Sequence, residues 1–294
     1  MNNNLDLSLI FINYYSKESL KNVLFSIKNY YDENLEIIIF NNSPEEKLED
    51  LKEIYLNIKI INSEKNLGFT KGCNIAVNNS NKKYILILNP DILFINEFIS
   101  YGIKFLEENK DFGAVGFKIL NSDGTIQKES LRNFPTPLNT LLKFLNLDSL
   151  LKIRYSYFDR ELDKSKEANI LSGACMLIRK ETFLSINGFD ESFFLYGDDI
   201  DLCIRLKNKG WKLYYLPIES VIHYKGGSLY KYSFKRIFYS HRAMFLFSKK
   251  YYSKNLILLL IIYSGIILRF IFLILISILI RFSKVLSWNY FFDS

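Results

Sequence analysis

Residues 84–91 read YILILNPD, an apolar run of strand character that ends in Asn89, Pro90 and Asp91. Strands that alternate with helices over short loops predict βαβ units, and hence a parallel sheet with helices on both faces. Comparable apolar runs occupy residues 7–13, 35–40 and 58–62. Segments with the 3.6-residue period of a helix occupy residues 19–30, 45–57 and 73–79.

Polar side chains cluster where these predicted strands end. Ligands of open parallel sheets bind at the carboxyl ends of the strands. Asn13, residues 41–43 and residues 89–91 all fall at such ends. The sequence therefore predicts one binding edge that is assembled from several strands.

The middle of the chain is less regular. The charged, tyrosine-rich residues 152–169 predict a mobile loop. The periodicity of the remaining segments predicts a helix over 97–109, a strand over 114–120 and a helix over 138–151.

Three carboxylates open a further predicted helix. Asp198, Asp199 and Asp201 precede an apolar stripe at helical spacing and would occupy the first helical turn. Acidic residues there cap a helix and complement its dipole, and Asp201 with Arg205 would form an i,i+4 ion pair. Three acids in four residues exceed what capping requires, however, and a carboxylate beside a pocket is a suitable general base for a hydroxyl. The residues alone leave both interpretations open.

Asp91 and the two histidines also allow two interpretations. Asn-Pro-Asp is a common turn sequence, and a single histidine in a strand is more often structural than functional. A lone carboxylate is also the usual protein ligand of Mg²⁺ or Mn²⁺ when a diphosphate supplies further oxygens, and His223 could complete that shell with Asp91. His241 lies on a basic, helix-like stretch and is predicted to be at the surface.

The segment NLGFTKGCN at residues 66–74 carries Gly68 and Gly72 near a helix start. Glycines there permit close approach of the backbone to a nucleotide or sugar. The segment is neither a GxGxxG fingerprint nor a Walker loop, and the chain has no serine-nucleophile elbow or kinase motif set. NAD-dependent, ATP-hydrolysing and serine-hydrolase functions therefore lack support.

The amino-acid composition excludes several classes of protein. With 49% hydrophobic and 23% charged residues among 294, the chain is not disordered, collagenous or of low complexity. Cys73, Cys175 and Cys203 form no CxxC pair, which favours a reducing compartment over a disulfide framework. The first residues lack a basic segment and a long apolar run, so no signal peptide is expected.

The charge is unevenly distributed. Residues 205–254 contain twelve Lys or Arg and one acid, and residues 256–280 are apolar apart from Arg269. A bilayer-spanning helix, two interfacial helices (256–268 and 270–280) and a buried core helix are the alternatives, with membrane association favoured. Nucleic-acid binding would explain the basic block but not the adjoining apolar run, so no nucleic-acid partner is expected.

Seven segments occur in order over about residues 7–228: LIFINYYS, IIIFNNS, NLGFTKGCN, LNPDILF, SGACMLIRKETFLSINGFDESFF, GDDIDLCIRLKNKGW and VIHYKGGS. Together they resemble family 2 glycosyltransferases of the GT-A fold, in particular the rhamnosyltransferase-like branch. The resemblance implies an α/β fold, a GT-A type Rossmann-like mixed sheet flanked by helices, followed by a C-terminal apolar helical segment. The expected division is a catalytic domain over 1–230, a basic linker or helix over 231–255 and a membrane-associated segment over 256–294.

The resemblance also implies roles for individual residues. Asp91 and His223 would hold a divalent cation, Mg²⁺ or Mn²⁺. Asp199 would be the catalytic base of an inverting displacement, and Asp198 would support it. The nucleotide-sugar would contact Asn13, Asn41, Asn42, Ser43, Asn66, Gly68, Gly72, Asn74 and Asn89.

The implied substrates are a nucleoside-diphosphate sugar, dTDP-rhamnose or a UDP-hexose, and a hydroxyl of a glycan or lipid-diphosphate-linked acceptor in cell-surface polysaccharide synthesis. The basic and apolar C-terminal residues would hold the enzyme on the cytoplasmic face of the cell membrane. The alternatives are a nucleotidyltransferase, which usually carries a glycine- and Arg/Lys-rich loop that INYYSKE lacks, and a catalytically silent nucleotide-sugar-binding or scaffold subunit. Asn89 and Asp198, which replace residues usual in the family, keep the scaffold alternative open.

Overall fold

The computed structural model describes residues 5–32, 34–144, 159–224 and 233–289. The chain divides into two compact units, Met1–Glu191 with Asp198–Lys225, and Ser192–Gly197 with Gly226–Ser294. The strands are β1 (Leu7–Asn13), β2 (Glu36–Asn41), β3 (Ile58–Asn62), β4 (Tyr84–Leu88), β5 (Ile92–Phe94), β6 (Phe112–Asn121), β7 (Leu131–Arg132), β8 (Lys166–Ala168), β9 (Ile170–Leu171), β10 (Cys175–Arg179) and β11 (Lys212–His223). The helices are α1 (Lys17–Lys28), α2 (Phe69–Asn78), α3 (Ile99–Glu108), α4 (Pro137–Phe144), α5 (Asp159–Leu162), α6 (Lys180–Ser185), α7 (Asp198–Asn208), α8 (Phe234–Tyr252) and α9 (Leu256–Asn289).

The first unit is built on a mixed sheet in the order β3-β2-β1-β4-β10-β6-β11-β5, with β8 also paired to β11. The four N-terminal strands are mutually parallel, as the βαβ pattern predicts. β10 runs antiparallel to both of its neighbours, β4 and β6. The mixed sheet flanked by helices therefore has the expected architecture, and β7 with β9 forms a separate two-stranded ribbon.

Each face of the sheet carries its own apolar core. Successive strand residues point to opposite faces, so Leu7, Leu9 and Phe11 of β1 pack with α1 and α3, whereas Ile10 and Ile12 pack with α2, α6 and α7. Because both faces are covered, the strands are almost continuously apolar. The polar strand ends are left as the edge available for a ligand.

The predicted helix over residues 45–57 is wrong. Only a 3₁₀ turn at Glu49–Glu53 forms there. The side chain of Asn41 donates to the carbonyl of Glu46, and the Glu46 carboxylate accepts from Asn13 and from the backbone of Lys17. These bonds hold residue 46 outside a helix, and its long-range contacts override local periodicity.

The irregular middle differs from the prediction in two places. The helix predicted over 138–151 is observed as α4, Pro137–Phe144, and residues 145–150 lie outside the described residues. The loop predicted over 152–169 contains α5 and β8, while residues 151–158 lie outside the described part. β8 pairs with β11, so the end of this segment belongs to the sheet.

The second unit is dominated by α8 and α9. Residues Leu256–Ile280 form one continuous apolar stretch of mean hydropathy 2.7 that is 6% buried, long and apolar enough to cross a membrane. The alternatives of two short helices and of a buried core helix are therefore wrong. The surface position predicted for His241 is also wrong, because this residue is 2% exposed and contacts Arg269 of α9.

Candidate active site

Asp91 and His223, distant in sequence, meet at the carboxyl edge of the sheet. Asp91 directly precedes β5, which pairs with β11, and the Tyr224 backbone donates to the Asp91 carbonyl at 2.8 Å. His223 Nε2 lies 3.1 Å from Asp91 Oδ1 and 3.3 Å from Asn89 Nδ2. The His223 side chain is 9% exposed and that of Asp91 is 36% exposed, so the carboxylate faces solvent while the imidazole is held from behind.

Gln127 fixes the orientation of His223. The imidazole Nδ1 lies 3.1 Å from Gln127 Oε1 in a buried contact. Because a carbonyl oxygen only accepts, Nδ1 carries the proton in this arrangement and donates it to Gln127. Nε2 faces the Asn89 amide and the Asp91 carboxylate, and in the neutral ring it carries the lone pair.

The Asp91–His223 pair fits a divalent cation. In the neutral ring, the Nε2 lone pair and the Asp91 carboxylate oxygen 3.1 Å away are two donor atoms placed side by side, both of types that bind Mg²⁺ or Mn²⁺. The Gln127 contact supplies the outer support that metal-bound histidines usually have. Among the described residues no cluster of three His, Cys, Asp or Glu could hold a metal. A cation at this pair would depend on diphosphate oxygens and water for its other ligands, as Mg²⁺ commonly does.

Asp199 lies in the first turn of α7, where the aspartate cluster was predicted. Its Oδ1 accepts from the Ile200 backbone at 2.8 Å. Its Oδ2 accepts from the Gly173 backbone at 3.1 Å and from Arg132 Nη2 at 2.5 Å. Since a carboxylate offers about four acceptor positions, these bonds leave room for one further donor.

The turn at residues 173–174 connects the two groups. The Asn89 backbone donates to the Ala174 carbonyl at 3.1 Å, and Gly173 donates to Asp199. A Cβ atom on Gly173 would lie 3.2 Å from the Cβ of Asp199, so the helix start approaches this turn closely. The Asn89–Asp91 turn and Asp199 therefore adjoin consecutive residues just before β10.

The other two acids of the cluster have different surroundings. Burial, and then the charge of Asp199, raises the pKa of Asp198 to about 7. Asp201 is fully buried and accepts from Arg205 Nε at 2.7 Å, the predicted i,i+4 pair. Arg205 also donates to the carbonyls of Ile186 and Gly188, so this pair fastens α7 to the preceding loop.

Several strand-end residues are predicted to contact the nucleotide-sugar. Their side chains form many hydrogen bonds within the protein. Asn13 Nδ2 donates to Asn41 Oδ1 at 2.9 Å, and Asn41 donates onward to Asn62 Oδ1 at 3.0 Å. Asn42 bonds to the backbone of residues 67 and 68, and Ser43 Oγ accepts from the Tyr15 backbone. All four predicted residues are buried and shape the edge.

The 66–74 segment combines a turn with a helix. Gly68 has φ 87°, in the left-handed region that favours glycine, and its N–H donates to Asn66 Oδ1 at 2.8 Å. Gly72 lies inside α2, where a Cβ would come within 2.8 Å of Phe40, so its smallness serves packing. Asn74 bonds to both backbone groups of Phe189, linking α2 to the loop before α7.

Sequence reasoning missed the residues that surround these groups. Arg132 and Gln127 belong to no motif, and Gly173, although it lies in the segment SGACMLIRKETFLSINGFDESFF, was given no role there. Each is recognised by its partner in space. Tyr14 and Tyr15 lie just beyond β1 with exposures of 49% and 58%, and Tyr15 has φ 49°. Two exposed aromatic residues directly after a strand that ends at the site were the available signal, because bases stack on such rings.

Comparison with known proteins identifies the family. The sequence profile of Glycosyl transferase family 2 matches residues 8–186, and that of the N-terminal domain of galactosyltransferase matches residues 154–226. The chain is 29% identical to the rhamnosyltransferase WbbL of Escherichia coli K12 over 225 residues, 74% of this chain and 82% of that protein. It is 24% identical over 207 residues to the N-acetylglucosaminyl-diphospho-decaprenol L-rhamnosyltransferase of Mycobacterium tuberculosis, 66% of this chain and 67% of that protein.

Solved structures show the same fold. The crystal structure of GalNAc-T7 with UDP, GalNAc and Mn²⁺ superposes with a TM-score of 0.58 at 13% identity. The superposition covers 83% of this chain and 48% of that one, so the likeness concerns the fold. This chain is a member of glycosyltransferase family 2, with the GT-A fold.

Proposed function

We propose that the protein is a metal-dependent, inverting glycosyltransferase that moves a sugar from a nucleoside diphosphate to an acceptor hydroxyl. One observation carries the proposal. The Asp91–His223 pair and Asp199 are tied to the same sheet edge through residues 173–174. A diphosphate-binding group and a proton acceptor are the two parts that this displacement requires.

The chemistry follows from the charges at the edge. The acceptor oxygen bonds to the anomeric carbon as the bond from that carbon to the diphosphate oxygen breaks. The hydroxyl proton passes to Asp199, whose side chain is 18% exposed. A divalent cation held by Asp91 and His223 would neutralise the charge that develops on the leaving diphosphate. Asp198 adjoins the base and would support its position.

Arg132 supports the role of Asp199. Its guanidinium, 9% exposed, donates to Asp199 Oδ2 and to the Leu171 carbonyl, which fixes the carboxylate beside Gly173. The remaining acceptor position then has a defined direction. We include Arg132 as a positioning residue of the proposed site.

The donor site is proposed at the edge formed by β1, β2 and the 66–74 segment. Asn13, Asn41, Asn42 and Ser43 would shape the surface that receives the nucleoside, with Asn66, Gly68, Gly72, Asn74 and Asn89 around it. The exposed ring of Tyr14 or Tyr15 is suited to stack on the base. The names of the rhamnosyltransferase relatives favour dTDP-rhamnose over a UDP-hexose as the donor.

The acceptor is proposed to be a lipid-diphosphate-linked sugar or a growing glycan, because the mycobacterial relative is named for a decaprenol-diphosphate acceptor. Such an acceptor lies in a membrane, and the apolar α9 gives this chain a means to reach it. We propose action at the cytoplasmic membrane face in cell-surface glycan assembly. The division into residues 1–230, 231–255 and 256–294 belongs to the same proposal.

Asp199→Asn tests the function. Purified full chain in detergent is assayed with dTDP-rhamnose and UDP-hexoses, Mn²⁺ and a polyprenyl-diphosphate-linked sugar. We expect transfer to fall by about 10²–10⁴-fold, while thermal stabilisation by the nucleoside diphosphate with Mn²⁺ is retained. Asp111→Asn, which changes a surface acid paired to Lys212, is the matched control and should retain transfer.

Two results would contradict the proposal. A wild-type chain that no nucleoside diphosphate stabilises in the presence of Mn²⁺ would remove the donor site. Glycan output in cells that is unchanged by Asp199→Asn would favour the scaffold subunit over the enzyme.

A further inference from the structure

Helices α8 and α9 form an antiparallel hairpin. The rings of Phe245 and Tyr263 lie 4.9 Å apart, and those of His241 and Phe270 lie 5.2 Å apart. Residue numbers fall along α8 as they rise along α9, so the two helices run side by side in opposite directions. Whatever direction α9 takes relative to a membrane, this length of α8 takes it too.

Arg269, the charge within the apolar stretch of α9, points into this hairpin. Its Nη1 donates to His241 Nε2 at 3.0 Å and lies 3.7 Å from the sulfur of Met244. His241 Nδ1 in turn donates to the Ile237 carbonyl at 2.6 Å. Burial, with the charge of Arg269 adding to it, lowers the pKa of His241, in keeping with a neutral ring that accepts from Arg269.

The opposite side of α9 is an apolar stripe. Its members recur about once per helical turn, singly or as adjacent pairs, with one turn skipped between residues 261 and 267, so they share one helix face, and each is 44–74% exposed. We call this set the apolar stripe: Leu256, Ile257, Leu260, Ile261, Ile267, Leu268, Ile271, Phe272, Leu275, Ile278 and Leu279.

Helix α8 carries a row of cations. Lys235, Arg242 and Lys249 are spaced seven residues apart, close to two helical turns, so they lie on one face. All three are exposed. The row, which we call the basic row, extends for about 21 Å along the helix axis.

We propose that the α8–α9 hairpin is a docking surface for an anionic membrane leaflet and lies flat in it, with the apolar stripe against acyl chains and the basic row at the headgroups. The basic row decides the orientation. If the hairpin stood along the bilayer normal, Arg242 beside the central His241–Arg269 contact would enter the hydrocarbon, where a charged side chain is strongly disfavoured. A flat hairpin places all three cations at one depth.

Charge complementarity selects lipid as the occupant of the stripe. A second copy that packs stripe against stripe would cover the apolar stripe but supply no counter-charge to the basic row, whereas an anionic leaflet supplies both acyl chains and negative headgroups. This inference rests on the membrane part of the proposed function alone. Nucleotide-sugar transfer assayed in detergent reports the catalytic part separately.

The first experiment measures binding of the full chain to vesicles of phosphatidylcholine, alone or in equal parts with phosphatidylglycerol. Replacing Lys235, Arg242 and Lys249 together by Gln should weaken binding to the anionic vesicles by about 150-fold, the equivalent of about 1 kcal/mol for each cation. The control replaces Lys52, Lys104 and Lys110, three exposed lysines of the first unit, by Gln. The net charge changes equally, and binding should stay within about twofold. Equal losses in both triple variants would contradict a specific basic row.

The second experiment measures depth. Cys73, Cys175 and Cys203 are buried, so a single introduced cysteine can be labelled selectively in the folded chain. Ile257→Cys, Leu268→Cys and Leu279→Cys place a fluorophore on the stripe at intervals of eleven residues, over about 33 Å of helix. With lipids brominated at different depths, we expect the three probes to be quenched at one common shallow depth.

Three results would overturn the inference. A probe at residue 268 in the bilayer centre, with those at 257 and 279 near opposite surfaces, would show a spanning helix. Labels that are shielded by self-association in the absence of vesicles would assign the stripe to a second copy. A chain that binds neither kind of vesicle would remove the membrane as the partner.

Discussion

Arg132 and Asp199, 67 positions apart in sequence, form an ion pair of 2.5 Å in which both side chains are largely buried. The pair unites the ribbon strand β7 with the first turn of α7. An ion pair of this kind contributes little net stability when intact, but removal of one partner leaves an uncompensated buried charge. The main effect of the Arg132–Asp199 ion pair in this protein is therefore to hold the Asp199 carboxylate in place.

We predict that Arg132→Met destabilises the fold by about 3 kcal/mol, because the Asp199 carboxylate loses its counter-charge. Transfer should fall about 10²-fold, as expected of a misplaced catalytic group. Arg132→Lys restores the charge without the guanidinium fork and should recover stability better than kcat. Urea unfolding and transfer kinetics measure the two effects. If the Arg132→Lys variant had the same transfer kinetics as wild type, the guanidinium group of Arg132 would be dispensable.

Gly173→Ala is predicted to displace Asp199. The added Cβ would lie 3.2 Å from the Asp199 Cβ, tighter than ordinary contact, and Gly173 also donates its backbone to that carboxylate. We expect kcat to fall by about tenfold to a hundredfold with little change in nucleotide affinity. Gly265→Ala, where a Cβ meets nothing within 4 Å, is the control for the same chemical change. A normal kcat for the Gly173→Ala variant would mean that the structure accommodates the added methyl group without displacing Asp199, the proposed base.

Gln127→Ala tests the proposed cation site by removing the side chain that orients His223. Loss of the 3.1 Å contact frees the His223 ring to rotate and to change its protonated nitrogen. Affinity for Mn²⁺ in the presence of a nucleoside diphosphate should fall about 10–100-fold by calorimetry. Thr125→Ala, on the same turn, bonds to Asp123 and not to the histidine, and should leave Mn²⁺ affinity unchanged. Equal Mn²⁺ affinities of the Gln127→Ala variant and wild type would separate Gln127 from the site.

Asp198 makes stability depend on pH with a sign opposite to that of most carboxylates. Its pKa is about 7 in the folded chain against an ordinary value of 3.8, so folding favours the protonated form. The contribution of this group is greatest below about pH 4 and is lost as the pH rises to about 7. Asp198→Asn should flatten the pH dependence of the free energy of unfolding between pH 4 and pH 8 and stabilise the protein at pH 8.

Asp123 provides the comparison for that experiment. Its bonds with Thr125 lower its pKa, so Asp123→Asn should lose stability above pH 4 rather than gain it. Parallel unfolding curves for Asp198→Asn and wild type over the whole pH range would contradict the raised pKa of Asp198.

The parts of the fold that the sequence predicts well are those governed by local pattern. β3 and β4 match their predicted bounds because each is an apolar run ended by polar turn residues. The helix predicted over 45–57 failed because Glu46 is held by Asn41 and Asn13 from other elements. His241 failed for a similar reason, since its partner Arg269 lies on the next helix.

The residues of the candidate site likewise fall into those that local pattern predicts and those that only the folded structure reveals. Asp91, Asp199 and His223 could be proposed from strand ends, a helix start and family motifs. Arg132 could not, because a two-residue strand after a 3₁₀ turn has no periodicity and its meaning depends on Asp199. Gly173 and Gln127 likewise acquire a role only from distances. The burial and the ion-pair partners of the three aspartates at the start of α7 are set by tertiary packing.

The position of β10 has a consequence for biosynthesis. This strand fills the slot between β4 and β6 but is translated after both. Until Arg179 has emerged from the ribosome, the nascent sheet ends at the unpaired edge of β4, and β6 has neither of its partners because β11 is translated later still. Unpaired apolar strands of this kind favour aggregation. α9 is translated only after every strand of that sheet, so the strands of the first unit can pair before the most apolar segment of the chain leaves the exit tunnel.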